Sequence, residues 1–453
     1  MGTLLSAALL TTTGGAVRRP GPAGAQLIVE SNQTVPLVHV VVASRSGSAA
    51  DPRHREGLTN LAAEWARHGA GGKSREQLDA AFDALGATLE VDTQPDSTRF
   101  EGEVLARNLD AYLALLADVI VRPNFAPAEL QRTRRELLAG IDESRNDDRA
   151  LAVRFFARNL YADHPYGHPS DGLKASLEAA KSDEIVSHFR RHFVGKNLVF
   201  AFAGDVEPDA LATSLKRAFK GLSDAAAPPP NPLELREPVP PKGWRIQLVD
   251  KPDRQQTQLL FGHPGVRASD PDFVPLSIGL AAFGGHAMNT TMMNEIRTKR
   301  GLAYGAYLTM SERRGVGAAT GWVFAGSDKT VTTLKLSLKL YVAFMTKGID
   351  ADTAEFFKRY LAGAHATEMD APDARLSARV TAEIAGLPPD FVDTYPDRIR
   401  AQPLAAINAA IKRRVRARDM AITMVATAAV MKKLLLDAKV QDTAIDVVRY
   451  DDY

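Results

Sequence analysis

The sequence predicts an α+β protein made from one unit used twice, two homologous α/β-sandwich domains joined by a proline-rich linker. Three observations carry that expectation. The order of elements in the first half begins again in the second. Two pairs of segments match across the halves: IVESNQTVPLVHVVV from Ile28 with IQLVDKPDRQQTQLLF from Ile246, and HFRRHFVGKNLVFAFAGD from His188 with AIKRRVRARDMAITMVAT from Ala410. Between them, Ala225–Pro241 holds seven prolines at the midpoint of a chain of 453 residues, the composition of an extended, semi-rigid linker. The length itself exceeds one ordinary core and suggests two or three domains. The boundaries read as a leader over 1–24, a first domain over 25–224, the linker over 225–242, a second domain over 243–445 and a tail over 446–453.

Taken in order, Gln26–Val29 and Val35–Ser44 read as strands, the second a buried β-branched run. Gly57–His68 is helical, with Leu58, Leu61, Ala62 and Trp65 on one face. Ser74 caps the next helix, through Leu85, with Gln77 at capping-box spacing. Thr88–Thr93 and Thr98–Val104 alternate as strands do, and Leu109–Ile120 is an amphipathic helix. A long charged helix spans Ala126 to about Asp148, followed by a helix over Leu151–Tyr161 and a rigid turn at His164–Pro169. Ser182–Phe193 is a helix, Asn197–Ala203 a buried strand, and Pro208–Phe219 a helix with proline in its first turn. After the linker come strands at Trp244–Val249 and Gln256–Gly262 and a helix at Pro271–Phe283. Strands follow at Tyr304–Ser311 and Ala318–Phe324, then helices at Thr332–Lys347, Asp352–Glu368 and Ala405–Val415, and a strand at Met420–Ala426.

Composition sets limits on function. Hydrophobic residues make up 45% and charged residues 24%, the balance of a soluble globular protein. A formal net charge of +2 gives no pointer to nucleic acid. There is no cysteine, which excludes disulfides, thiolate ligands and a cysteine nucleophile. No Gly-x-Ser-x-Gly elbow, Walker loop or dinucleotide glycine loop is present. The apolar run Leu4–Leu10 is too short to span a bilayer and reads as a trimmed secretory signal or a disordered leader. An exported, periplasmic location is the expectation, with the cytoplasm as the alternative.

The most informative stretch is Phe283–Tyr304, FGGHAMNTTMMNEIRTKRGLAY. Gly284-Gly285 favours a bend or a close approach. Met288, Met292, Met293 and Ile296 fall on one helical face, Lys299 and Arg300 suit the helix end, and Gly301 suits its C′ position. Arg297 and Tyr304 can then reach one surface. This stretch resembles the arginine–tyrosine segment of pitrilysin/insulinase-type zinc peptidases, the inverzincins, through Gly284-Gly285, Asn294–Arg297 and Arg300–Tyr304. The phrases VPLVHVVVASRSGSAADPRHREGL and NLYADHPYGHP and the position of the linker are similar to that family too, so the resemblance covers nearly the whole chain. It implies two α+β domains in a clamshell arrangement.

The resemblance also implies a metal site that this sequence lacks. The family carries His-x-x-Glu-His on a helix after Gly-Leu, two imidazoles at i and i+4 with a Glu as general base. Here those positions hold Asn60, Ala63 and Glu64. The third ligand would fall near Gly140 or Ile141, with Glu136 and Glu143 close by. Glu64 and His68 at i, i+4, with His54 upstream, do not rebuild it and read as a solvated contact. His164 and His168 read as turn packing, and His188 and His192 as part of a core helix with Phe189 and Phe193. No metal or other cofactor is expected in this chain.

The resemblance therefore implies the non-zinc subunit of a heterodimeric, bacterial-type peptidase, active only with a homologous partner that holds the zinc. Arg297 and Tyr304 would bind peptide and stabilise the transition state, with Gly284, Gly285, His286 and Asn289 beside the substrate. The segment Gly284–His286 is expected to act as an edge that accepts the peptide by β-addition. The alternative is a non-catalytic scaffold subunit of a larger complex, and an autonomous peptidase is a third reading. No nucleic-acid partner and no integral membrane segment are expected.

Overall fold

The computed structural model describes residues 12–13 and 15–452; the apolar run Leu4–Leu10 lies outside them. The chain forms two compact units, and neither is contiguous. The first comprises residues up to Ala139, Ser170–Asn231 and Thr367–Asp393; the second comprises Gly140–Pro169, Pro232–Ala366 and Thr394 onward. The sequence boundaries drew each domain as one unbroken segment. Instead, each unit contains a helix from the opposite half.

The first unit is a seven-stranded sheet of β1 (Thr12–Thr13), β2 (Ala16–Pro20), β3 (Gln26–Ser31), β4 (Leu37–Ser44), β5 (Glu90–Thr93), β6 (Thr98–Leu105) and β7 (Leu198–Gly204), in spatial order β1-β2-β3-β7-β4-β6-β5. The second is a six-stranded sheet of β8 (Trp244–Asp250), β9 (Gln256–Pro264), β10 (Ala303–Met310), β11 (Ala318–Gly326), β12 (Met420–Ala426) and β13 (Ile445–Arg449), in order β10-β11-β9-β12-β8-β13. The pairs β3/β7 and β8/β12 are parallel, and the next three pairings in each sheet are antiparallel. The five-strand core is thus the same in both sheets, which establishes the expected duplication of an α/β unit. Only the far edges differ. β2 adds antiparallel to β3, whereas β13 adds parallel to β8. Residues 16–20, read as leader, and 445–449, read mostly as tail, are therefore sheet strands.

Each sheet has two apolar faces to cover. In the first unit, Val40, Val42, Phe200 and Phe202 point to one face; Val41, Ala43, Val199, Ala201 and Ala203 alternate to the other. That second face carries three alanines and is shallow enough for a helix to lie close. The helix Pro372–Ile384 does so, burying Leu376, Val380 and Ile384 against Ile28, Val41 and Ala43. No element was predicted there, although Pro372 at the helix start and apolar residues every fourth position are a legible signal. In the second unit the matching position holds the helix Asp148–Tyr161, packed on β9 and β12. The long charged helix expected through Asp148 stops at Ser144. The Asp147 side chain then accepts the backbone N–H groups of Arg149 and Ala150, starting a new helix.

Ionic clamps fix the exchanged helix of the first unit. Arg375 Nε donates to Glu30 Oε1 at 2.6 Å and Arg379 Nε to Glu30 Oε2 at 3.2 Å. Arg379 also grips Asp393 through two bonds of 2.7 Å, and is itself 3% exposed. Glu383 at the helix end is held by Arg18 and Arg45.

Truncating Arg379 leaves two carboxylates facing a hole. Arg379→Met should cost about 3–5 kcal/mol, seen as a lower urea midpoint. Arg400→Ala removes an exposed pair with Asp397 and should shift stability by less than about 0.5 kcal/mol. An unchanged midpoint for Arg379→Met would remove this clamp from the account of why the helix docks.

Candidate functional site

The helix at the degenerate metal position, Leu58–Arg67, begins where the buried Asp51 carboxylate accepts Gly57 N, Thr59 N and Thr59 Oγ1 at 2.6–2.8 Å. Burial raises Asp51 to about 7. His188 Nε2 lies 2.8 Å from the same Thr59 hydroxyl. Burial lowers His188 to about 3 and His192 to about 4, so both imidazoles are neutral parts of the core.

Of the motif positions, Asn60 is half-buried, Ala63 is fully buried and Glu64 faces a cleft of about 400 Å³. Arg67, His68, Arg75 and Asp79 line that cleft, with Leu89–Val91 from the sheet edge. Arg67 donates to Asp79 Oδ1 at 2.8 Å and to Leu89 O at 3.0 Å. Arg75 takes both oxygens of Glu136 at 3.1 Å. Glu136 is thus bound by guanidinium, and Glu143 is exposed. His68 Nδ1 sits 2.8 Å from Thr133 Oγ1, and its Nε2 is 4.0 Å from Glu64 Oε2, too far for a hydrogen bond. Among the described residues no group of three or more His, Cys, Asp or Glu is arranged to hold a metal ion. Two guanidiniums and a carboxyl raised to about 7 by burial do not fit a divalent cation.

The second candidate region lies in the other unit. The helix Phe273–Gly284 ends on the glycine pair. Both glycines are buried: a Cβ on Gly284 would stand 2.7 Å from Leu308 of β10, and one on Gly285 2.8 Å from Ala281 O. They bring the helix tight against β10 and turn the chain outward. The segment Gly284–His286 is not a strand, and the sheet edge beside it is β10. His286 and Asn289 are exposed.

The helical face expected from Met288 is only partly realised. Met292, Met293 and Ile296 are buried, but Met288 is 60% exposed and precedes the helix. Thr290 Oγ1 accepts Met293 N at 3.2 Å, and Met293–Thr298 then winds as a π-helix, with Lys299 N bonded to Asn294 O at 2.9 Å. Such turns are rare and recur at functional sites. Gly301, at φ +58°, closes the turn, its N–H bonding Arg297 O at 2.9 Å. The chain enters β10 through an irregular pairing at Ala303/Gly305, and Tyr304 sits in that bulge, 76% exposed.

The electrostatics separate three neighbouring cations. Lys299 Nζ and Arg300 Nη1 both bind the Glu295 carboxylate, at 2.6 and 2.5 Å. They hold Glu295 below the ordinary carboxylate range, through hydrogen bonds first. Arg297 is exposed and, among the described residues, has no carboxylate partner; its Nη1 rests 3.8 Å from Met288 Sδ. The Tyr304 hydroxyl likewise has no hydrogen-bond partner among the described residues. Among the described residues neither side chain is held by a carboxylate. Asn289 instead lines a separate cleft of about 680 Å³ with Glu295, Lys299, Asp352 and Phe356, which includes neither of them.

The cleft in the first unit yields a prediction with opposed signs. Glu64, raised to about 7 by burial, keeps a proton that the unfolded chain releases; its contribution is present at low pH and fades as pH rises to about 7. His68, lowered from 6.5 to about 4 by burial, loses stability as pH falls through that window. Glu64→Gln removes only the first slope. Relative to wild type it should gain on the order of 2 kcal/mol between about pH 5 and pH 8 in urea unfolding. A difference that stays constant with pH would place Glu64 in water.

Comparison with known proteins agrees with this geometry. Residues 26–171 match the family described as Insulinase (Peptidase family M16), and residues 180–352 match the Peptidase M16 inactive domain. A relative from Helicobacter pylori described as non-peptidase homolog YmxG is 23% identical over 400 residues, 88% of this chain and 91% of that protein. The crystal structure of a peptidase M16 inactive domain from Pseudomonas fluorescens superposes with a TM-score of 0.83 at 23% identity, covering 90% of this chain and 97% of that one. A protease from Helicobacter pylori superposes at 0.82 with 16% identity, covering 92% of this chain and 100% of that one. With both matched segments and both sheets accounted for, the chain belongs to peptidase family M16.

Proposed function

We propose that this chain is the non-zinc subunit of a two-chain M16 peptidase, supplying Arg297 and Tyr304 to a peptide held at the zinc of a homologous partner. One observation carries the reading: Glu295 satisfies Lys299 and Arg300, while Arg297 and Tyr304 stand exposed on either side of the Gly301 turn with no carboxylate or carbonyl partner among the described residues, Arg297 donating only to the Met288 sulfur. A side chain kept only for stability is usually paired or packed. Hydrolysis of a peptide bond builds negative charge on the scissile carbonyl oxygen, and a metal in the partner would supply the activated water. Tyr304 donates its phenolic hydrogen to that oxygen. Arg297 offers its fork of N–H groups to a substrate carbonyl or carboxylate. Gly284 and Gly285 act at one remove, by setting the bend that presents His286.

The donor set of the first unit supports the division of labour. Arg75 holds the Glu136 carboxylate, and among the described residues no group of His, Cys, Asp or Glu is arranged to hold a metal of the family type. The description of the Helicobacter pylori relative as a non-peptidase homolog favours a second reading, a non-catalytic subunit of a larger assembly. That reading gives Arg297 and Tyr304 no substrate.

Mixed with its partner, Tyr304→Phe should lower turnover by about 10–1,000-fold, the loss of one oxyanion donor. Arg297→Ala should raise KM while leaving subunit association intact in sedimentation. Wild-type turnover in both variants would favour the non-catalytic reading. The isolated chain should retain far less than one equivalent of zinc after dialysis; stoichiometric zinc by elemental analysis would overturn the assignment.

A further inference from the structure

A strip of side chains, exposed at Arg297, Met288, His286 and Arg149 and half-buried at Tyr307 and Trp322, crosses the β10 end of the second sheet. It starts at Arg297, passes Met288 at 3.8 Å, and continues through His286. The His286 ring lies 5.4 Å from Tyr307, centroid to centroid. Tyr307 is paired in register with Trp322 of β11, the rings 5.5 Å apart and within 12° of parallel. Arg149, at the start of the covering helix, places its guanidinium 4.2 Å above Trp322. The helix Asp148–Tyr161 packs chiefly on β8, β9 and β12, and at this end of the face Tyr307 and Trp322 are only half-buried. Gly305 is part of the construction: a Cβ there would stand 2.7 Å from the Tyr307 ring, which lies down over the glycine.

We propose that this strip binds an extended peptide segment carrying an aromatic side chain between acidic residues. The proposal rests on the peptide-binding role assigned above to Arg297 and adds the substrate class. Charge chooses the occupant. Both ends of the strip are cationic, its six residues include no carboxylate, and the nearby Glu295 is already bound by Lys299 and Arg300. Between the ends, the His286, Tyr307 and Trp322 rings offer a shelf for an incoming aromatic ring, and the exposed Met288 thioether adapts to its edge. A cross-strand aromatic pair stabilises a sheet without a ligand. That explains Tyr307 against Trp322, but not the exposed His286 and Met288 that extend the row to an arginine with no carboxylate partner among the described residues.

The test is fluorescence anisotropy with the full chain alone at low ionic strength. The probes are a fluorescein-labelled Gly-Asp-Ala-Phe-Ala-Asp-Gly peptide and its counterpart with alanine for phenylalanine. The phenylalanine peptide should bind about 3–10-fold more tightly. Tyr307→Leu and His286→Ala should remove that preference; His286 is exposed, so its variant keeps the test valid if Tyr307→Leu folds poorly. Arg297→Gln should weaken both peptides by the same factor. Equal affinity for the two probes, no binding of either, or a preference intact in His286→Ala would overturn the proposal. So would a dimer of this chain that the His286 and Tyr307 variants dissociate, since a second copy would then be the occupant. The assay needs no partner subunit. Lost preference with normal turnover of the pair sinks the strip alone, and a retained preference with Tyr304→Phe turnover unchanged sinks the subunit reading alone.

Discussion

A sheet in the interior of a protein has two apolar faces, and each must be covered before the backbone ladder beneath it is worth forming. In both units of this chain the local helices cover one face. The middle of the other face is closed by a helix drawn from the opposite half of the sequence: Pro372–Ile384 over β4 and β7, Asp148–Tyr161 over β9 and β12. The alanines at 43, 201 and 203 make sense only against that helix, because small residues on a bare face would stabilise little. Burying a helix this way also buries whatever polar groups it carries. The Glu30, Arg375, Arg379 and Asp393 cluster answers that cost with charge-assisted bonds on every carboxylate.

The same economy of charge distinguishes the two candidate sites. At the degenerate metal position both guanidiniums are engaged, Arg67 by Asp79 and Leu89 O and Arg75 by Glu136, while burial drives Glu64 toward its neutral form and Glu90 stands at the exposed rim. Such a cleft is electrostatically closed. Around the Gly301 turn, one carboxylate serves two cations and a third is left over. The π-helix matters here, since a widened turn shifts side chains that follow it relative to an α-helical register. Its hydrogen bonds, with Gly301 folding back on Arg297 O, fix the path from Arg297 to Tyr304 over seven residues.

Much of this could be read from residue order, and the exceptions have physical causes. The five-strand core, the capping box at Ser74 and the strand Met420–Ala426 follow from periodicity and local hydrogen-bonding chemistry, which act within a few residues. The exchange of helices does not. Nothing within Asp148–Tyr161 says which sheet it will cover, because its apolar face fits any flat apolar surface. Strands β2 and β13 were hidden for a related reason: edge strands are half solvated, so Arg18 and Arg19 in one and Asp446 in the other blur the alternation. A motif singles out Arg297 and Tyr304, but that neither meets a carboxylate among the described residues is not legible in it. That depends on Glu295 folding onto Lys299 and Arg300, a choice among three nearby cations that spacing leaves open. Glycine marks close approach without naming what approaches, and here Leu308 and Ala281 O stand closest to the pair.

A zinc-helix position without the family's ligands, and an exposed arginine and tyrosine elsewhere in the chain, are informative together because the two sets of groups meet different constraints. A zinc site fails once a single imidazole or carboxylate is missing, since the remaining ligands cannot complete a tetrahedron. The carboxyls that remain near those positions are paired or neutralised, Glu136 by Arg75 and Glu64 by burial. An exposed arginine and tyrosine face no such pressure. They carry little cost in the folded state, so stability alone neither holds them nor removes them. Their setting is more demanding. A π-turn, a left-handed glycine and a strand bulge are each less favourable than the regular alternative, and here three occur within Met293–Gly305. A chain selected only for stability would relax them; one that must hold two donors out to a ligand would keep them.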